Sequence, residues 1–348
     1  MSGNNDRKFM QRCLDLALKA EGMTYPNPLV GAVIVHEGRI IGEGYHLRAG
    51  GPHAEVIAVG SVKESRMLPS STLYVSLEPC SHFGLTPPCA DLIIARKIPE
   101  VVIGTPDTSE KVGGKGIQRL RDAGCAVTVG VEEEKCRWIN RRFFTFNEKK
   151  RPYIILKWAC SADGFLDVVR NGENPRMIKW ITGNPERILV HRWRASEQAI
   201  LAGAGTIRTD NPQLNVREWK GNNPLRIILN GSGSLPANPA ISTVAGTNII
   251  FTYFPEKVLS GTAVRLNETE PSAVQIAAYL TGRGIQSLFV EGGAGVLDHF
   301  ISTGYWDEAR IFRGNQLFGD GVRAPAIGGK LVSQTRFSHS TLDILVRE

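Results

Sequence analysis

The chain has 348 residues, 42% of them hydrophobic and 22% charged, with 41 Lys and Arg against 34 Asp and Glu. At roughly 100 to 200 residues per domain, this length predicts two domains and excludes a single small module. Ordinary aromatic, Gly and Pro content excludes wholesale disorder, and the net charge of +7 favours anionic partners, a phosphorylated small molecule as well as nucleic acid.

The longest apolar stretches, such as residues 29–35 and 92–95, fall far short of the ~18 to 20 residues of a spanning helix. Residues 1–8 lead directly into an amphipathic pattern with no hydrophobic signal core, so the expectation is a cytoplasmic protein with no membrane partner. Six cysteines are too sparse for a disulfide framework in a chain of this size. Cysteine chemistry here is expected to be metal binding or catalysis.

In chain order, a helix is predicted over residues 7–21, followed by a breaker at Tyr25-Pro26-Asn27-Pro28. A buried strand over residues 30–35 and a return strand over 39–43 come next, and a helix opens at His53-Ala54-Glu55. Strand 72–77, helix 89–97, strand 101–104, helix 116–123, strand 126–131 and helix 136–142 complete the first half. The polar segment 147–152 marks a boundary, giving domains 1–147 and 151–348. The second half restarts with strand 153–159 and continues with strands 199–202, 226–229, 248–253 and 287–291. Helices over residues 185–194, 272–283 and 296–301 are interspersed. Such alternation predicts an α/β layered sheet in each half.

His53, Cys80 and Cys89 supply one imidazole and two sulfurs, with the carboxyl of Glu55 two positions from the imidazole. Three ligands and one vacancy are the donor set of a catalytic zinc, and a nearby carboxyl can shuttle a proton between metal-activated water and a leaving amine. The pattern H-x-E followed by Pro-Cys fits a zinc deaminase, with cysteines more widely spaced than the general signature. Proline before His53 and before Cys89 places both at helix starts, where thiolates are stabilised. His82 as a fourth ligand of a structural zinc is the competing reading of the same cluster.

These residues, together with Tyr25-Pro26-Asn27-Pro28-Leu29-Val30-Gly31, Gly42-Glu43-Gly44-Tyr45-His46 and Glu78-Pro79-Cys80-Ser81-His82-Phe83-Gly84-Leu85-Thr86-Pro87-Pro88-Cys89, resemble the deaminase half of the bifunctional riboflavin-biosynthesis deaminase/reductase family. The resemblance implies a three-layer, cytidine-deaminase-like fold acting on a diaminopyrimidine ribosyl phosphate. It also implies zinc on His53, Cys80 and Cys89, Glu55 as proton shuttle, and substrate contacts from Asn27, His46 and His82. Leu85 departs from the Lys or Arg usual in that family, where the cation can meet phosphate. Lys115, in a glycine run read as a loop, is a weak alternative cation.

In the second half, a fingerprint begun at Gly203-Ala204-Gly205 fails at Arg208, which disfavours a Rossmann site. Glu291-Gly292-Gly293-Ala294-Gly295 reads as a strand end, a glycine-rich turn and a helix start, which suits a phosphate against backbone amides. With Lys157-Trp158-Ala159-Cys160-Ser161-Ala162-Asp163-Gly164, Trp180-Ile181-Thr182-Gly183 and residues 203–217, these pieces are similar to the reductase half of the same family. That likeness implies a dihydrofolate-reductase-like fold using NADPH to reduce a ribosyl to a ribityl chain. Trp180, Thr206, Asp210, Gly293 and Gly295 would then touch NADPH, while Arg194, Leu214, Arg217 and Glu291 face the substrate. The family further implies a homo-oligomer, dimer or tetramer. The alternative is a zinc deaminase acting on nucleic acid with a C-terminal binding module; it predicts a basic groove with interleaved aromatics, and the sequence has no such stripe.

Overall fold

The computed structural model describes residues 2–83, 87–109, 113–168, 180–237 and 239–348. They form two compact units, Met1–Lys150 and Arg151–Glu348. None of the helices is long and apolar enough to cross a membrane among these described residues.

The first unit opens with α1 (Ser2–Ala17), which starts five residues before the expected helix and tightens into a 3-10 turn at Leu18–Ala20. Its buried residues Phe9, Met10, Cys13, Leu14 and Ala17 recur three and four apart, the spacing that gives a helix one apolar face. There follow β1 (Gly31–His36), β2 (Arg39–Tyr45), α2 (Ala54–Ser61), β3 (Thr72–Leu77), α3 (Cys89–Ala95), β4 (Glu100–Thr105), α4 (Lys115–Asp122) and β5 (Ala126–Val129). The sheet runs β2-β1-β3-β4-β5, with β1 antiparallel to both neighbours and β3, β4 and β5 parallel. Alternate side chains serve opposite faces. Ala32, Ile34, Leu73 and Val75 pack with residues of α2, α3 and α4, while Val33, Val35 and Tyr74 pack with α1. The result is the three-layer arrangement expected of this half.

The single helix expected over residues 136–142 is two helices, α5 (Glu133–Ile139) and α6 (Arg141–Lys149), and the second occupies part of the segment read as a polar boundary. The break falls at Asn140. Its side chain accepts the Leu29 N–H and donates to the Leu29 carbonyl, both at 2.8 Å, so it pairs with a distant loop as a strand would. A contact 111 residues away leaves no local trace in helical periodicity.

The second unit contains β6 (Tyr153–Cys160), β7 (Phe165–Asp167), α7 (Asn184–Ser196), β8 (Ala199–Gly203), α8 (Ala204–Asp210), β9 (Leu225–Leu229), β10 (Asn248–Thr252) and β11 (Thr262–Arg265). It continues with α9 (Ser272–Gly282), β12 (Ser287–Gly292), α10 (Ala294–Ser302), β13 (Glu308–Gly314), β14 (Val322–Arg323), β15 (Lys330–Arg336) and β16 (Ser340–Val346). Among the described residues its main sheet has the order β11-β10-β9-β8-β12-β6-β13-β16-β15. Pairing is parallel from β11 to β13 and antiparallel beyond it. Apolar cores cover both faces, one with Ile154, Leu156 and Leu288, the other with Tyr153, Ile155 and Phe289. Near-continuous apolar runs such as residues 153–156 are what a parallel strand buried on both sides requires. The stretch at 203–205 passes from the end of β8 into α8, and α8, β7, β11 and β13 to β16 were not anticipated.

Candidate functional site

In the first unit, proline placement delivers the three metal-ligand candidates to one point. His53 is the N-cap of α2, in extended backbone, and Pro88 caps α3 so that Cys89 is its first residue. Cys80 lies on the loop after β3 and is held there by the opening of α3: the Cys89 N–H donates to its sulfur at 3.3 Å and the Ala90 N–H to its carbonyl at 3.1 Å. The His53 Nδ1 is 3.5 Å from the Cys80 Sγ and 3.3 Å from the Cys89 Sγ. All three ligand atoms lie within 4.8 Å of one another, a donor set that fits a tetrahedral cation with one corner open. The thiols compete for one negative charge. The hydrogen bond from Cys89 holds the Cys80 thiol well below its usual range, while that same proton sharing and burial push Cys89 up. A divalent cation between them is what lets both ionise.

Glu55 stands in the first turn of α2, only 3% exposed, in hydrogen-bond contact with Cys89, and burial pushes its carboxyl up to about 7. Asn27 and His46 meet beside the cluster. Asn27 Nδ2 donates to His46 Nε2 at 3.0 Å, and His46 Nδ1 donates to the Pro52 carbonyl at 3.0 Å, a tautomer consistent at both ends. The His46 ring stands edge-on to His53 at 5.4 Å between centroids. His82 is different: it lies exposed on the loop beyond Cys80, outside the three-ligand group, with Asp107 as a charged neighbour. Leu85 falls outside the described residues, and Lys115 is exposed at the first position of α4.

One residue of the quoted motif had been given no role. Glu78, 4% exposed, accepts the N–H groups of Asp107 at 3.1 Å and Gly114 at 3.0 Å on one oxygen, and those of Gly116 at 2.8 Å and Ile117 at 3.2 Å on the other. It therefore fastens the start of α4 beneath the Cys80 loop. Only glycine fits at 116, because a Cβ there would lie 2.0 Å from the Pro79 carbonyl oxygen.

In the second unit, a cavity of about 700 Å³ opens beyond the carboxyl ends of the parallel strands, where open α/β sheets place their ligands. Trp180, Thr206, Asp210, Glu291, Gly293 and Gly295 all line it. Gly293 caps α10 with a φ of +28°, and a side chain there would press on the Thr206 hydroxyl at 3.1 Å; Gly295 faces open space. Backbone amides at the start of α10 can thus approach an anion closely. Trp180 is 59% exposed, its carbonyl held by Gln316 Nε2 at 2.8 Å.

Arg194 and Glu291 form a two-pronged ion pair at 2.5 and 2.7 Å, each side chain about a tenth exposed. The Arg194 fork also donates to the Asn215 carbonyl at 3.0 Å. The pair holds the Glu291 carboxyl down to about 2 against its burial. Lys157, on β6, faces it from the cavity wall, and burial lowers its ammonium's pKa. Leu214 is buried with a φ of +49°, so what it can offer a ligand is backbone. Arg217 is exposed and donates to Gln213 and Asn215 side chains, and its own N–H donates to His191 Nδ1 at 3.1 Å. Arg194, Leu214 and Arg217 do not line the cavity itself. Asp163 accepts the Ser161 hydroxyl at 2.6 Å and the N–H groups of Phe318 and Gly319, so its motif is both a turn and an anchor for the 318–319 loop.

Comparison with known proteins gives the same two halves. Residues 152–344 match the RibD C-terminal domain, and residues 3–105 match the cytidine and deoxycytidylate deaminase zinc-binding region. The riboflavin biosynthesis protein RibD of Aquifex aeolicus is 38% identical over 340 residues, covering 95% of this chain and 92% of its own. That of Bacillus amyloliquefaciens is 36% identical, covering 92% and 86%. Among solved structures, the diaminohydroxyphosphoribosylaminopyrimidine deaminase/5-amino-6-(5-phosphoribosylamino)uracil reductase of Thermotoga maritima superposes with a TM-score of 0.89 at 35% identity over all of both chains. Acinetobacter baumannii RibD does so with a TM-score of 0.88 at 31% identity, covering 99% of each.

Proposed function

Because the chain belongs to the bifunctional deaminase/reductase family of riboflavin biosynthesis, RibD, we propose that its two sites treat one phosphorylated pyrimidine ribosylamine in turn. It is a zinc-dependent deaminase in its first half and an NADPH-dependent reductase in its second. The observation that carries the reading is the meeting of the His53, Cys80 and Cys89 ligand atoms within 4.8 Å beside a buried Glu55.

In the deaminase half, His53 Nδ1 and the two sulfurs would hold zinc, which would supply activation of a water toward the amine-bearing ring carbon. The buried Glu55 carboxyl would carry a proton from the incoming water to the departing amine, so that water enters and ammonia leaves. Asn27 gives its Nδ2 to His46, which turns its Oδ1 to the amino edge of the pyrimidine. His82, exposed at the rim, meets the ribosyl phosphate. In the reductase half, the cavity beside α10 receives NADPH, which when bound supplies the reducing equivalent for C1′ of the ring-opened ribosylamine. Trp180, Thr206, Asp210, Gly293 and Gly295 contact the cofactor, and the Leu214 backbone and Glu291 contact the substrate. Arg194, whose fork is committed to Glu291, orients that carboxylate, and Arg217 is the guanidinium for the phosphate.

We also infer a cytoplasmic homo-oligomer. Self-association is supported by β15, a sheet edge exposed along its whole length, which offers unpaired backbone groups to a second copy. A nucleic-acid substrate is not favoured, since RibD relatives match across nearly the entire chain. The test is separation of the activities. Glu55→Gln is expected to abolish ammonia release from the diaminopyrimidine while the variant still reduces the deaminated intermediate; simultaneous loss of both in a folded variant would refute two independent sites.

A further inference from the structure

Among the described residues the reductase cavity carries two cations in its lining, and one of the two, Lys157, belongs to the reacting end. Lys157, on β6, stands with Glu291 of β12. Arg208, on α8, lines the same cavity as Gly231 and Ser232, which follow β9. In the sheet, β9 is separated from β6 by β8 and β12. At ~4.8 Å per strand, three spacings put β6, which carries Lys157, about 14 Å from β9, whose following loop Arg208 reaches from α8 through the Ser234 carbonyl. A ligand spanning the cavity is therefore met by a positive group toward each side, with the amides of Gly293 and Gly295 between them at the start of α10, which follows the strand that separates β8 from β6.

The Arg208 guanidinium is not simply adrift on the surface. Its Nη1 donates to the Ser234 carbonyl at 2.7 Å, which ties it across to the loop after β9. One anchored N–H leaves the planar fork oriented with other donors to offer, the geometry in which arginine clamps phosphate oxygens. The Ser232 hydroxyl adds a donor on the same stretch. Asp210 also lines the cavity, but it is two residues further along α8, about 200° around the helix, and so presents to a different part of it.

A dinucleotide bound with its nicotinamide at Lys157 and Glu291 and its pyrophosphate at the start of α10 brings its adenosine ribose toward β8 and β9. At that place a carboxylate favours a free ribose diol and an arginine favours a 2′-phosphate. We propose that Arg208, assisted by Ser232, reads the 2′-phosphate and sets the preference of the reductase half for NADPH over NADH. The inference rests on the placement of the cofactor in this cavity.

The test is binding, measured on the full chain without substrate. Dissociation constants of NADPH and NADH by fluorescence titration, and of 2′,5′-ADP and 5′-AMP by calorimetry, are compared for wild type, Arg208→Gln and Arg208→Lys. Loss of charge-assisted hydrogen bonds is expected to weaken NADPH and 2′,5′-ADP about 10- to 100-fold in Arg208→Gln, with NADH and 5′-AMP changed less than about 2-fold. Arg208→Lys, which keeps the charge without the fork, is expected to fall between. Thermal melts coincident with wild type exclude a folding defect. If Arg208→Gln keeps the NADPH preference, or weakens NADPH and NADH alike, the assignment of Arg208 is wrong. If the wild type itself fails to bind NADPH, the cofactor placement is overturned, and this assignment with it.

Discussion

His191 shows how much the proposed substrate site depends on a side chain that acts through the backbone of Arg217. It is 4% exposed on α7 and accepts the Arg217 N–H at Nδ1, so its ring proton sits on Nε2 and the ring must be neutral. Burial first, then the nearby charges of Arg194 and Arg217, push its pKa down to about 4, against smaller opposing effects of Glu218 and Glu291. The unfolded chain, with an ordinary histidine near 6.5, binds this proton first as pH falls. The contribution of the neutral ring is therefore intact above about pH 6.5 and lost as pH drops toward 4. In His191→Asn the Oδ1 sits where Nδ1 was and keeps the acceptor; His191→Ala removes it. His191→Ala should raise the reductase KM about 3- to 10-fold with little change in kcat, the worth of one neutral hydrogen bond. His191→Asn should restore KM and flatten its rise below pH 6.5; equal damage in both variants would deny His191 this positioning role. The sequence exposes residues like His53, Cys80, Cys89 and Glu55 because their chemistry is unusual at that spacing. His191 and Glu78 stay hidden because both act on backbone N–H groups, 26 and more residues away, which carry no residue identity.

The same division holds for elements. Strand 72–77 and helix 272–282 are legible because a run bounded by breakers or a 3.6-residue apolar spacing repeats within a few residues. The hairpin of β15 and β16 is not: all of β15 is exposed, so it has no apolar alternation to read, and its pairing is visible only in three dimensions. Helix α4 was found, but not its cap, which comes from the carboxylate of Glu78 some 36 to 39 residues earlier. In Glu78→Gln one oxygen becomes an NH2 that faces N–H donors, leaving buried groups unpaired at about 1 to 3 kcal/mol each. Calorimetry should show the transition of the first unit lowered by about 5 to 10 °C, with zinc content falling too because the Cys80 loop loses its footing. An unchanged midpoint and full zinc occupancy would mean that α4 keeps its position without this carboxylate.

At the scale of the whole molecule, each unit has its own apolar cores and its own chemistry. Length and the polar stretch near residue 150 are enough to foresee two domains, whereas the packing of α6 through that stretch depends on Phe143 and Phe144 joining Leu77 in a small cluster of the first unit. Among the described residues, no cysteine lines the reductase cavity and the metal-ligand cluster lies in the other unit. Removing metal from the intact chain is therefore expected to act on one half only. Dialysis against dipicolinate should cut ammonia release by at least about 100-fold, since without its metal the site has no means to activate water. NADPH binding and reduction of the deaminated intermediate should stay within about 2-fold of the untreated protein, and added zinc should restore ammonia release. Loss of reduction in parallel with zinc, reversed by zinc, would show that the second unit's competence depends on the metal centre of the first.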